Sequence, residues 1–118
     1  EYADSMRTKK GNSLIDSALK FINGNLHNSD LSLRIVAKEL YVNESYLSRV
    51  FKQDTGESMI EYITRNRIEE SIRLLNATDM KAYEIAEFVG IKDPHYFSIC
   101  FKKQVGVTIK EYKNRDSV

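Results

Sequence analysis

Two sets of side chains in this sequence have the types and spacing to recognise nucleic acid. The first set shares one face of a predicted helix, at spacings i, i+3, i+4 and i+7, and comprises Ser45, Ser48, Arg49 and Lys52. An arginine can donate two hydrogen bonds to guanine O6 and N7, and serines beside it allow close approach to base edges. The second set occupies the matching face of a later helix and comprises His95, Ser98, Ile99 and Lys102. Its isoleucine could contact a thymine methyl group, or it could belong to the core.

Residues suited to catalysis or metal binding do not cluster. His27 and His95 lie far apart, and Cys100 is the single cysteine, so neither an internal disulfide nor a cysteine-based zinc site is expected. Adjacent acids such as Glu69 and Glu70 point to different sides of a helix and cannot converge on one substrate. We therefore expect no enzyme activity, no metal and no cofactor.

Composition fits one soluble domain or two small subdomains. The chain has 118 residues, of which 42% are hydrophobic and 30% charged. It contains neither a run of ~20 apolar residues nor a signal peptide, so we expect no membrane contact and a cytoplasmic location. The net charge of +1 is weak for a nucleic-acid binder, although residues 92–115 hold six basic residues against two acidic ones.

The apolar periodicity is helical throughout and predicts an all-α chain of about seven helices. Ser13 is the expected N-cap of the first helix. Further start signals are Ser32, Asn43, the Ser58–Glu61 capping box, Asp93 before Pro94, and the Thr108–Glu111 capping box. Tyr46, Leu47, Val50 and Phe51 are predicted to face the core of one helix, and Ile60 is predicted to lie in the apolar stripe of the next.

The sequence also repeats itself. Seven positions have the same or a similar residue 50 positions later, in the pairs Tyr46/Tyr96, Phe51/Phe101, Lys52/Lys102, Gly56/Gly106, Ser58/Thr108, Glu61/Glu111 and Tyr62/Tyr112. Four upstream apolar residues recur at an offset of 49, in the pairs Val36/Ile85, Ala37/Ala86, Leu40/Val89 and Val42/Ile91. Two copies are too few for a solenoid, which needs about three. A duplicated functional unit fits better.

Each copy has the order of a helix-turn-helix unit: a short helix, a turn of about three residues and a longer helix. Ala37 and Ala86 are small where two helices must cross closely. Gly90 permits a positive φ in the second turn, whereas Tyr41 stands at that place in the first. We divide the chain into a flexible segment 1–12, a lead-in helix with the first helix-turn-helix subdomain 13–57, a linker helix 58–76 and a second helix-turn-helix subdomain 77–118. A linker of roughly 27 Å could set two recognition helices near the ~34 Å repeat of DNA.

Residues 31–115 resemble the DNA-binding domain of the AraC/XylS family of bacterial transcription regulators. The first half matches in the runs Val36-Ala-Lys-Glu-Leu and Ser45-Tyr-Leu-Ser-Arg-Val-Phe-Lys, and the linker in Arg67-Ile68 and Leu74-Leu75. The second half matches in Glu84-Ile-Ala, Val89-Gly90, Tyr96-Phe-Ser, Phe101-Lys-Lys and Gly106. The preceding helix, 13–26, is similar to the segment that follows the receiver domain in response regulators.

The resemblance implies sequence-specific binding of double-stranded promoter DNA by two recognition helices in successive major grooves. It implies base contacts from Ser45, Ser48, Arg49, His95 and Ile99, and backbone contacts from Lys52, Ser98 and Lys102. Its further implied partners are RNA polymerase and a sensor or receiver domain on the N-terminal side.

The chain departs from the family pattern at Ile99, where an arginine is common, at Ile109, where a proline is common, and at Ile91, where an aromatic is common. Because Ile99 removes a cation and a donor, we expect the first half to carry more of the base discrimination. The alternative interpretation is a helical protein–protein interaction module, which the near-neutral net charge and Ile99 favour. Taken singly, either polar face is also typical of a solvated helix.

Overall fold

The computed structural model describes residues 10–115, with side chains from residue 13 onward. In that part of the chain there are seven α-helices and no strand, which confirms the predicted all-α class. The helices are α1 (Lys10–Gly24), α2 (Leu33–Glu39), α3 (Glu44–Thr55), α4 (Met59–Ala77), α5 (Ala82–Val89), α6 (Pro94–Val105) and α7 (Ile109–Asn114). None of these described helices is long and apolar enough to span a membrane.

The described residues form two compact units. The first contains residues 10–25 and 31–63, and the second contains residues 26–30 and 64–115. Helix α4 therefore contributes its N-terminal part to the first unit and the remainder to the second. The short loop before α2 belongs to the second unit, although it precedes most of the first unit in the chain.

Most of the predicted helix starts are present as hydrogen-bonded caps. The side chains of Ser32 and Asn43 accept from the N–H of Ile35 at 3.2 Å and of Tyr46 at 3.1 Å. Both capping boxes form: the carboxylates of Glu61 and Glu111 accept from the backbone N–H of Ser58 at 2.8 Å and of Thr108 at 2.9 Å. Asp93 accepts from the N–H of His95, with Pro94 as the first helical residue.

The prediction for the first helix was wrong at its start. Helix α1 begins at Lys10, so Ser13 lies inside the helix and is not its N-cap. Of the segment 1–12 that was predicted to be flexible, residues 1–9 lie outside the described residues.

Each unit has its own apolar core. In the first, α1 contributes Ile15, Ala18 and Ile22, and the helix-turn-helix contributes Val36, Ala37, Leu47 and Phe51, all at most 1% exposed. In the second, the fully buried side chains include Ile68, Ile85, Ala86, Val89 and Phe101. Because α2–α3 and α5–α6 are each anchored on one side by these residues, the opposite sides of α3 and α6 are left to solvent.

Two residues predicted to be core lie at the surface. Tyr46 is 40% exposed and Ile60 is 54% exposed. In α3 the buried line runs through Leu47 and Phe51, four residues apart, and Tyr46 lies about 100° away from Leu47 around the helix. Ile60 is displaced in the same way from Met59, so both side chains occupy flanks of their apolar stripes.

The sequence repeat is matched by repeated side-chain geometry. The rings of Phe51 and Tyr62 meet edge to face at 5.7 Å and 76°, and those of Phe101 and Tyr112 at 5.8 Å and 75°. In each unit the tyrosine hydroxyl also donates to an asparagine side chain, Asn23 at 3.0 Å and Asn76 at 3.2 Å. These asparagines lie near the C-terminal ends of α1 and α4. The duplicated unit is therefore larger than the sequence indicated, because it includes the long helix that precedes each helix-turn-helix.

The two helix-turn-helix turns adopt the same backbone conformation. Tyr41 has φ +57° and Gly90 has φ +101°, so the positive φ expected at Gly90 is also present at Tyr41, where the sequence showed only a departure from the second copy. The following N–H groups of Val42 and Ile91 donate to the carbonyls of Ala37 at 3.0 Å and Ala86 at 2.9 Å. A left-handed backbone costs a residue with a side chain about 1–2 kcal/mol, so the first turn holds strain that the second avoids.

In the second unit, a buried arginine binds the loop formed by residues 26–30. Arg67 is 8% exposed, and its guanidinium donates to the carbonyls of Leu26 at 2.9 Å and Asn28 at 2.7 Å. Burial lowers the pKa of Arg67 from its ordinary value, yet these two acceptors compensate for part of the lost hydration. A Cβ at Gly90 would lie 3.0 Å from both Arg67 Nε and the Leu26 carbonyl oxygen. The turn, the arginine and the loop are thus packed at the limit of contact.

Candidate nucleic-acid interface

Helix α3 presents the first predicted set of side chains on the side opposite its buried line. Ser45, Arg49 and Lys52 are exposed, and Ser48 is half-buried. Leu47 and Phe51, both fully buried, fix the rotation of the helix about its axis. Because four residues at these spacings share one helix face, the structure brings the predicted set together, with Ser48 at its less accessible edge.

Arg49 has an aromatic neighbour on the same helix that the sequence analysis assigned to the core. Its guanidinium carbon lies 5.3 Å from the centroid of the Tyr46 ring, within the range of a cation–π contact. Such a contact restricts the rotamers of an exposed arginine while its planar guanidinium keeps its N–H donors. The clue available in the sequence was the i, i+3 spacing of an aromatic and an arginine.

Helix α6 presents the second predicted set. His95, Ser98, Ile99 and Lys102 are all exposed. Ile99 is 52% exposed, so the alternative that placed it in the core is wrong and it is a surface residue of the recognition face. The hydroxyl of Ser98 donates to the carbonyl of Pro94 at 3.1 Å, which leaves its oxygen to accept rather than donate.

Cys100 lies on the opposite side of α6, in the core of the second unit. It is 8% exposed and stands 50 positions after Val50, a residue that the sequence analysis assigned to the core. The neighbouring Tyr96 is 49% exposed, and its hydrogen bond with the Cys100 thiol raises the pKa of the phenol. The tyrosine therefore occupies the same flanking position as Tyr46 but has no arginine to stack against.

The charges beside α6 are mostly positive. Lys102 lies near Glu111, whose pKa is lowered by hydrogen bonds from the Thr108 backbone and side chain and, to a smaller extent, by the lysine charge. The carboxylate is thus held in its ionised form by the start of α7. Among the described side chains, no group of three or more histidines, cysteines or acids is placed to hold a metal ion.

Two helix-turn-helix units, each with an exposed face on its second helix, are typical of DNA-binding proteins. The comparisons with known proteins agree with this class. A family model described as a helix-turn-helix domain matches residues 36–115. The transcriptional regulatory protein YesN of Bacillus subtilis is 39% identical over 108 residues, which cover 89% of this chain and 29% of that protein. The chain thus spans less than a third of that relative's length.

Solved structures show the same arrangement. The C-terminal domain of AraT, a response regulator from Geobacillus stearothermophilus, is 38% identical, with a TM-score of 0.85 over 91% of this chain and 88% of that one. The DNA-binding domain of AdpA, solved in complex with a target DNA, has a TM-score of 0.79 at 21% identity, covers 86% of this chain and 90% of that one, and supports the fold alone. The chain belongs to the AraC-type helix-turn-helix family, which confirms the resemblance found in the sequence.

Proposed function

We propose that this chain is the DNA-binding part of a bacterial transcription regulator and binds double-stranded promoter DNA sequence-specifically. Helices α3 and α6 would enter successive major grooves. Ser45, Ser48, Arg49, His95 and Ile99 would contact bases, and Lys52, Ser98 and Lys102 would contact the backbone. The observation that carries the proposal is the pair of exposed recognition faces, each opposite the buried line of the second helix in a helix-turn-helix unit. The AdpA domain, solved in complex with a target DNA, shares this fold.

The proposed segment performs no chemistry, because binding to a promoter needs only positioned donors and charges. Since AraT is described as a response regulator, we infer that a receiver or other sensor domain precedes this chain in its full-length protein. A regulator bound at a promoter shares that DNA with RNA polymerase, and we propose the polymerase as a second partner. Both interactions belong to the cytoplasm.

The experiment that tests this function is a selection of binding sites from a random duplex library. We expect an enriched site with two half-sites about 10–10.5 base pairs apart. Replacing Arg49 with alanine should cost ~1–3 kcal/mol and relax the preference at one base pair. Lys20→Ala, which removes an exposed cation from α1, is the matched control and should leave the selected site unchanged.

Two outcomes would count against the proposal. If no sequence is enriched, binding is not sequence-specific. If Arg49→Ala weakens binding to all duplexes equally, Arg49 does not contact a base. The rival function, a helical module that docks a partner protein, is favoured by the exposed Ile99. A titration against random duplex DNA at low salt separates the two functions. A DNA-binding domain should bind the duplex, and more weakly as salt is raised, whereas a protein-docking module should not bind it.

A further inference from the structure

A cleft in the second unit adjoins the recognition face of α6. Its volume is about 740 Å³, and it lies between α6 and α7. Helix α6 lines it with Ser98, Ile99 and Lys102, and α7 lines it with Ile109, Lys110 and Lys113. Three of these residues also belong to the recognition face, so a ligand on that face would extend into the cleft.

The cleft is cationic. Its charged lining residues are three lysines, and no carboxylate is among them. Lys110 and Lys113 are exposed, and neither forms an ion pair with another described residue. Glu111 accepts the Thr108 N–H and lies within the field of Lys102. Among the described residues that line the cleft, the charge is therefore positive.

The first unit has no equivalent of this cluster. At the 50-residue offset Lys102 corresponds to Lys52, but Lys110 corresponds to Ile60 and Lys113 to Ile63. On the recognition faces the difference is reversed, because the first unit has Arg49 where the second unit has Ile99. The second unit therefore has an isoleucine where the first has the arginine of its recognition face, and it carries two additional cations on the following helix.

We propose that Lys102, Lys110 and Lys113 form a binding site for the phosphodiester backbone that borders the groove entered by α6. This inference rests on the proposed function. The apolar floor of Ile99 and Ile109 would accommodate deoxyribose and thymine methyl surface, while the three ammonium groups neutralise successive phosphates. Because phosphate contacts carry no sequence information, the second unit supplies affinity and orientation, and the first unit supplies most of the base discrimination.

The test is the salt dependence of binding to the selected duplex, measured for the chain and for Lys110→Ala, Lys113→Ala and the double variant. Each phosphate contact contributes about 0.9 to the slope of log K against log salt. A fourfold rise in salt weakens the binding of every protein. The factor by which affinity drops should be about 3.5 times smaller for each single variant than for the original chain, and about 12 times smaller for the double variant. The preferred sequence should not change. Lys103→Ala, an exposed lysine on α6 outside the cleft, should leave the slope unaltered.

An unchanged slope in the double variant, with sequence-specific binding intact, would overturn this inference and leave the proposed function standing. A change in the selected base pairs would overturn it too, since it would show base contact. Loss of sequence preference in the original chain would instead remove the proposed function. Circular dichroism confirms that the variants fold.

Discussion

The Arg49 guanidinium lies 5.3 Å from the centroid of the Tyr46 ring, one turn earlier on α3. The contact sets the partly exposed Tyr46 ring beside the arginine of the recognition face. An arginine stacked on a ring loses less conformational freedom when it donates to a base. The stacked pair is therefore a pre-organised element of the recognition surface.

Replacing Tyr46 with leucine should weaken binding to the preferred duplex about 2–5-fold, because an exposed cation–π contact is worth ~0.5–1 kcal/mol. Tyr46→Phe keeps the ring and should bind like the original chain. Fluorescence anisotropy with a labelled duplex measures both. Equal loss in the two variants would show that the hydroxyl, not the stacking, matters.

Ile99 should contact a thymine methyl group in the second half-site. Replacing that thymine with uracil removes one methyl, and we expect a loss of about fourfold in affinity, from ~0.8 kcal/mol of apolar contact. The Ile99→Ala variant should show no such loss. A complete double-mutant cycle over the half-site identifies the base, and the same uracil penalty in both proteins would place Ile99 off the bases.

Gly90→Ala should destabilise the second unit more than Gly106→Ala. Both glycines have positive φ, at +101° and +97°, so each substitution costs about 1–2 kcal/mol of backbone strain. At Gly106 a Cβ would meet nothing within 4 Å, whereas at Gly90 it would press on Arg67 and the Leu26 carbonyl oxygen. Disturbing that hydrogen bond adds ~1–3 kcal/mol. Urea unfolding gives both values, and equal destabilisation would mean that the arginine moves aside freely.

The Glu111 cap predicts an acid-sensitive contribution to stability. The Thr108 backbone N–H lowers the pKa of this carboxyl from its ordinary 4.5, so the charged form is favoured in the folded state. Its stabilising effect is present above pH 4.5 and is lost as pH falls through the lower, folded-state pKa. Glu111→Gln keeps a hydrogen-bond acceptor and removes the charge. The Tm difference between the two proteins should shrink from pH 6 towards about pH 3.

The matched control for this series is Glu87→Gln, an exposed glutamate on α5. This variant removes a carboxylate that caps no helix start, so it gives the pH response of Tm without the cap. A Tm difference for Glu111→Gln that follows the same pH response as this control would contradict a role for the ionised cap.

Much of the fold could be predicted because its signals are local. The helix starts at Ser32, Asn43, Ser58, Asp93 and Thr108 each depend on residues within one turn. The two helix faces followed from spacing alone, and the positive φ of Gly90 followed from its place in the turn.

What sequence analysis missed depends on contacts between distant segments or on small rotations of a helix. Tyr46 and Ile60 were assigned inward because a stripe of apolar letters does not show where its centre lies. Nothing near Arg67 in the sequence indicated that its acceptors are the carbonyls of Leu26 and Asn28. In the sequence, the lysine cleft was visible only as an excess of positive charge. Its lysines come together because α6 and α7 line the same cleft.

The two hydrogen bonds between Arg67 and the loop of residues 26–30 affect how the second unit could be expressed as a separate fragment. A fragment cut in the middle of α4, at residue 64, would retain the arginine and lose both carbonyls that accept from it. Its guanidinium would then lose both hydrogen bonds, each worth about 1.5–3 kcal/mol for a charged donor. Expressing that half as an isolated protein would require grafting residues 26–30 back onto it, for example by circular permutation, or replacing the arginine with an apolar side chain.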